Sequence, residues 1–248
     1  LVRCFMIEVE ICIDCDSGQS VDEAVAAAFE GGAATVELCG AMACDGLTPT
    51  QKQVVAARRA FSTRPGLMVM IRPRSGGFCY GQHELATMRR QIAMVAAAGA
   101  DGVVFGVLHK CERRIDTAAL QVLLATSAEF DLCVTFSRAF DAVADPFAAL
   151  EILIDAGVDR ILTSGTPWGK EKSAVNGIEQ LRQIIASAAG RIEIVVGGGI
   201  CASNIQDVFA TLVLSRRRVS LHAHSGAQQG GITTVSAVQA LVAAARPF

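Results

Sequence analysis

The chain has 248 residues, 52% of them hydrophobic and 19% charged, with a formal net charge of −2. A chain this long buries a sizeable core without disulfides or metals, and its low charged fraction argues against extended disorder. The near-neutral balance excludes a broadly basic nucleic-acid binder, and 5% aromatics with a single Trp and a single Tyr leave no stacking platform for single strands.

Apolar stretches stop near half of the ~18 residues that a membrane-spanning helix needs. Glu8 and Glu10 interrupt what a secretory signal would require as its apolar region. Nine cysteines without such a signal predict reduced thiols and a cytoplasmic location, and an odd number cannot pair off internally.

In chain order, short β-branched or apolar runs alternate with alanine-rich stretches. The first run, 6–13, leads into Cys12-Ile13-Asp14-Cys15, and Ser20-Val21-Asp22-Glu23 then opens a helix with a capping box that stops at Gly31-Gly32. The second run, 35–39, ends Glu37-Leu38-Cys39-Gly40, and the box Thr50-Gln51-Lys52-Gln53 starts the next helix. The third, 67–72, ends Arg72-Pro73-Arg74, and Gly99 closes the helix after it. The fourth is 102–108. The fifth, 132–136, runs into Ser137-Arg138-Ala139-Phe140-Asp141, followed by a helix with Asp145 as cap, Pro146 at its first position and Gly157 past its end. The sixth, 160–163, ends Thr163-Ser164-Gly165. The seventh, 191–196, ends Gly197-Gly198-Gly199, with a capping box at Ser203-Asn204-Ile205-Gln206. The eighth, 219–222, ends His222-Ala223-His224, and 235–245 reads as the last helix.

Runs about 30 residues apart match the length of one βα unit, and their nearly continuous apolar character fits parallel strands buried on both faces. Eight such units predict a single-domain (β/α)8 barrel over 1–248. An open doubly wound sheet competes, but no composition break or long crossover divides the chain. The longest loops are expected after strands two, three and six.

In a barrel the chemistry gathers at the C-terminal ends of the strands. Glu10-x-Cys12 recurs as Glu37-x-Cys39 on the neighbouring strand, and residues two apart share a face. In register, Cys12 and Cys39 would come within reach of one soft ion such as Cu(I), with Cys15 offering a third sulfur. Against this stands the ordinary role of cysteine as a small buried hydrophobe, assigned here to Cys4, Cys111, Cys133 and Cys201. Glu10, Glu37, Arg72, Arg138 and His222 form a second candidate set. Converging, they make either an acid–base and anion-clamping site or an ion-pair network that closes the mouth. Arg74 and Asp141 fit the structural role better. Ser164 and Gly165, with Gly198 and Gly199, are candidates for an anion site built from backbone N–H groups, though a tight turn explains the glycines equally.

These strand ends resemble the CutC family of copper-homeostasis proteins. The resemblance rests on Glu10-Ile11-Cys12, Val36-Glu37-Leu38-Cys39, Gly46-Leu47-Thr48-Pro49, Met70-Ile71-Arg72-Pro73-Arg74 and Phe78-Cys79-Tyr80. It continues through 99–106, Arg138-Ala139-Phe140-Asp141, Leu162-Thr163-Ser164-Gly165 and Gly197-Gly198-Gly199-Ile200, in the family's order. It implies a TIM-like barrel, a cytoplasmic homo-oligomer (dimer or tetramer), and Cu(I) bound through Cys12 and Cys39. Two positions depart: the family carries His where this chain has Ser137, and Asp where it has Gly77. Three functions remain open: copper handling, an enzyme acting on a small anionic or phosphorylated metabolite at the same mouth, and a scaffold that works through partners, for which only the oligomer expectation speaks.

Overall fold

The computed structural model describes residues 7–109, 113–169, 173–212 and 218–246. Eight parallel strands close into a barrel in sequence order: β1 (Val9–Asp14), β2 (Thr35–Cys39), β3 (Leu67–Met70), β4 (Gly102–Phe105), β5 (Cys133–Phe136), β6 (Arg160–Thr163), β7 (Glu193–Gly197) and β8 (Val219–Ala223). β8 pairs back onto β1. The helices between and after them are α1 (Val21–Glu30), α2 (Gln51–Phe61), α3 (Gln82–Ala97), α4 (Thr117–Ala128), α5 (Pro146–Asp155), α6 (Ile178–Ala188), α7 (Ile205–Leu212) and α8 (Val235–Ala244). This is the predicted (β/α)8 barrel. None of the described helices is long and apolar enough to cross a membrane.

Alternation along the strands sorts two environments. On β1, Val9, Ile11 and Ile13 join the large apolar core shared with the helices, as do Val36 and Leu38 on β2 and Leu67 and Val69 on β3. The intervening residues face the barrel interior. There Cys12, Cys39, Met68, Met70 and Val104 form a separate buried cluster, beside the buried polar groups Glu10, Glu37, Thr135 and Arg160.

Several boundaries shift for identifiable reasons. Strand three was expected to reach residue 72, but the Arg72 N–H turns away to the Thr48 hydroxyl. The Ser203 box does not cap α7, because the helix opens at Ile205 with Asn204 immediately before it. The loop over 106–116 matches those after β2 and β3 in length. A small hairpin, β9 (Gln228–Gln229) with β10 (Ile232–Thr233), was not anticipated. Gly230 and Gly231, at φ 59° and 80°, make its turn. The expected strand start at Met6 and the cysteines Cys4 and Cys111 lie outside the described residues.

Candidate metal centre

The register of β1 on β2 sets Cys12 beside Glu37, and Cys39 beside Asp14. The two cysteines are therefore not in register as expected; Cys39 sits two residues further toward the mouth. Their sulfurs still approach to 3.9 Å, because barrel strands tilt and bring diagonal neighbours on the inner face together. Both side chains are buried. Cys15 does not supply a third sulfur. Cys15 lies in the turn just past the end of β1, where it joins the helix-side core and its thiol turns to the Ile13 carbonyl. Burial there pushes its thiol far above the ordinary value.

The thioethers around the pair escaped the sequence reading. Met42 and Met70 line the same cavity as Cys12 and Cys39, and Met68 packs beneath in the same cluster. Gly46 covers this sulfur-rich corner. A Cβ there would stand 3.3 Å from the Cys39 sulfur and 3.6 Å from that of Met42, and its φ of +82° favours glycine besides. Met68-x-Met70 on an inward strand face was the available signal.

Below the sulfurs lies a compact charge network. One oxygen of Glu10 accepts from Arg160 Nη1 at 2.8 Å and from the Thr35 hydroxyl at 2.9 Å. The other lies 2.9 Å from His222 Nδ1, which is also 3.4 Å from Glu37. Burial alone would raise the Glu10 carboxyl, but Arg160 and His222 outweigh it and hold Glu10 at about 2. Glu37 has no such guanidinium, and burial pushes it up to about 8, with the Cys12 and Glu10 charges adding to the shift against His222. His222, which burial alone would lower, is raised well above its ordinary value by Cys12, Glu10 and Glu37. The contact with Cys39, helped by His222, lowers Cys12 to about 5 against its burial, while Cys39, buried beside Cys12 and Glu37, is pushed up. A thiolate at Cys12 is thus stabilised inside the barrel. The potential ligand atoms of Cys12, Glu37 and Cys39 lie within 4.8 Å of one another, as do those of Glu10, Glu37 and His222.

Above the sulfurs, a cavity of about 310 Å³ opens to the mouth. It gathers Cys12, Cys39, Glu37, Arg72, Arg138 and His222 from the predicted set, together with Gly198, Gly199 and Ser137. Glu10 and Arg160 lie deeper. Two members of the expected anion site are engaged elsewhere. The Ser164 N–H donates to Asp141 and the Gly165 N–H to the Thr163 hydroxyl, so neither amide faces the cavity; Gly198 and Gly199, at φ 107° and 69°, do line it. Asp141 is a structural hub, as expected, also accepting from Thr163 and from Arg138 Nε. Arg74 pairs with Glu84 and with loop carbonyls. A side chain at Gly77 would meet nothing within 4 Å, and Gly77 is not part of the cavity wall.

The chain's similarities agree with this geometry. The model of the CutC family matches residues 7–223. The chain is 42% identical over 204 residues to a family protein CutC of Vibrio vulnificus, covering 82% of this chain and 76% of that one. It is 40% identical over 200 residues to the copper homeostasis protein cutC homolog of Mus musculus, covering 81% of this chain and 68% of that protein. A crystal structure of a CutC from Streptococcus agalactiae superposes with a TM-score of 0.76 at 28% identity, over 88% of this chain and 99% of that one. A Rubisco from Pyrococcus horikoshii, with a TM-score of 0.70 at 16% identity over 97% of this chain and 57% of its own, shares the barrel fold alone. With a family model spanning most of its length and relatives near 40% identity, the chain belongs to the CutC family.

Proposed function

We propose that the chain handles copper in the cytoplasm by binding Cu(I) between Cys12 and Cys39. The observation that carries the reading is the pair of buried sulfurs 3.9 Å apart on adjacent strands, in a cluster that also holds Met68 and Met70. Thiolates and thioethers are soft donors that suit Cu(I), whereas a structural zinc site would call for four ligands. The lowered Cys12 thiol favours the deprotonated form that a metal needs. The described cysteines are all free thiols, as a reducing compartment keeps them, and relatives in mouse and human are named copper homeostasis proteins.

The test is a Cu(I) titration of the reduced protein in competition with a chelator. Wild type should bind about one equivalent, and Cys12→Ser with Cys39→Ser should abolish binding, because a hydroxyl is a poor soft-metal ligand. Unchanged affinity in the double variant would overturn the reading.

A further inference from the structure

One wall of the cavity, next to the sulfur-lined corner, contains an unbalanced charge. Arg72 is 3% exposed, yet its partners are all neutral: Nη1 donates to the carbonyls of Cys44, Asp45 and Gly46, and Nη2 to that of Gly76. Its Nε is buried without an acceptor, and its guanidinium stacks 5.0 Å from the Phe78 ring. Among the described residues no carboxylate pairs with it. A buried cation without a counter-ion is costly, and a buried N–H without an acceptor adds to that cost.

Arg138 stands along the same wall. Its Nε pairs with Asp141 and its Nη2 with the Ser164 hydroxyl, which leaves Nη1 without an acceptor among the described residues. Its guanidinium lies 5.5 Å from the Trp168 ring, and Trp168 meets Phe78 edge to face at 5.0 Å. The two aromatic rings therefore join the two guanidiniums into one continuous wall. Asp141 offsets the charge of Arg138; nothing described offsets that of Arg72. The backbone of Gly198 and Gly199 borders the same space.

We infer that the mouth is a binding site for a small organic anion, whose carboxylate or phosphate is held by Arg138 and Arg72 beside Gly198 and Gly199. The cavity is at the small end of the usual range for metabolite pockets, so it suits a compact molecule and not a polymer. Planar guanidinium groups suit either oxyanion, and stacking on aromatic rings fixes their orientation. The site does not depend on copper. Its groups lie on the loops after β3, β5 and β7, whereas the thiols lie on β1 and β2.

The chain's single tryptophan, Trp168, sits in this wall and reports directly. The reduced, metal-free protein is titrated with inorganic phosphate and, separately, with malonate, at ionic strength matched by chloride, while tryptophan emission is followed. A saturable change is expected with at least one probe, and the stronger of the two identifies the preferred oxyanion. Arg138→Gln should weaken that binding by about tenfold or more. Cys12→Ser with Cys39→Ser should leave it intact, so failure of the copper reading and failure of this one give different results. If Arg138→Gln does not fold, modification of wild type by phenylglyoxal, mapped by mass spectrometry, decides instead: the bound anion should protect Arg138. No saturable change with either probe, equal binding by a folded Arg138→Gln, or equal modification of Arg138 with and without the anion would overturn the proposal.

Discussion

Glu10 shows how one buried carboxylate organises the barrel interior. It is 2% exposed and touches Arg160, Thr35 and His222, which come from three other strands. Removing one member of a buried ion pair leaves the other uncompensated, so Glu10→Gln should cost roughly 3–5 kcal/mol in urea unfolding. The pH dependence has a definite sign. Glu10 titrates at about 2 when folded against 4.5 as its ordinary value. Its contribution is therefore complete above pH 4.5 and lost as pH falls toward 2. The stability gap between wild type and Glu10→Gln, measured across that range, should narrow with acidification; a constant gap would show that the contribution does not depend on ionisation. At this scale the sequence was readable where pattern repeats locally. The Glu-x-Cys motif on two successive strands pointed to Cys12 and Cys39. Arg160 was not readable, because it opens a strand like any solvated charge, and only closure of the barrel brings it to a carboxylate 150 residues away.

Elements were legible where start and stop chemistry is local. Thr50 and Gln53 form the predicted capping box of α2, and Asp145 caps α5 by accepting from the N–H groups of Phe147 and Ala148. Gly99 and Gly157 follow α3 and α5 at φ 96° and 79°, as helix stops require. Asp145→Ala should therefore cost about 1 kcal/mol and lower the melting temperature by about 2–4 °C. It should leave Cu(I) affinity unchanged, because Asp145 caps an outer helix. Calorimetry of the variant checks the first expectation and chelator competition the second. Register was the illegible part. Hydrophobic pattern tells which face a residue takes, but not how far one barrel strand is displaced along the next. Cys12 thus pairs with Glu37 rather than Cys39, and sulfur proximity comes from strand tilt.

For the whole molecule, the 30-residue rhythm was enough to predict the barrel, since buried parallel strands appear as apolar runs on both faces. Closure itself rests on contacts between the chain's two ends. β1 pairs with β8, and Gly31 at the end of α1 lies against α8, where an added Cβ would stand 2.5 Å from the Val238 Cβ. Gly31 has an ordinary φ of −70°, so only packing opposes a side chain there. Gly31→Ala should cost about 1–3 kcal/mol by overpacking, read as a lower urea midpoint; an unchanged midpoint would mean that α8 shifts freely. The mouth of the closed barrel then holds two chemically distinct regions, a sulfur-lined corner at β1 and β2 and a guanidinium wall at the ends of β3 and β5.

The central claim is that copper sits on the two thiols and not on the carboxylates and imidazole beside them. Copper K-edge X-ray absorption of the Cu(I)-loaded, reduced protein tests this directly. The account predicts a first shell dominated by sulfur, which disappears in Cys12→Ser with Cys39→Ser. A shell of nitrogen and oxygen alone in wild type would place the ion among Glu10, Glu37 and His222 and contradict the account.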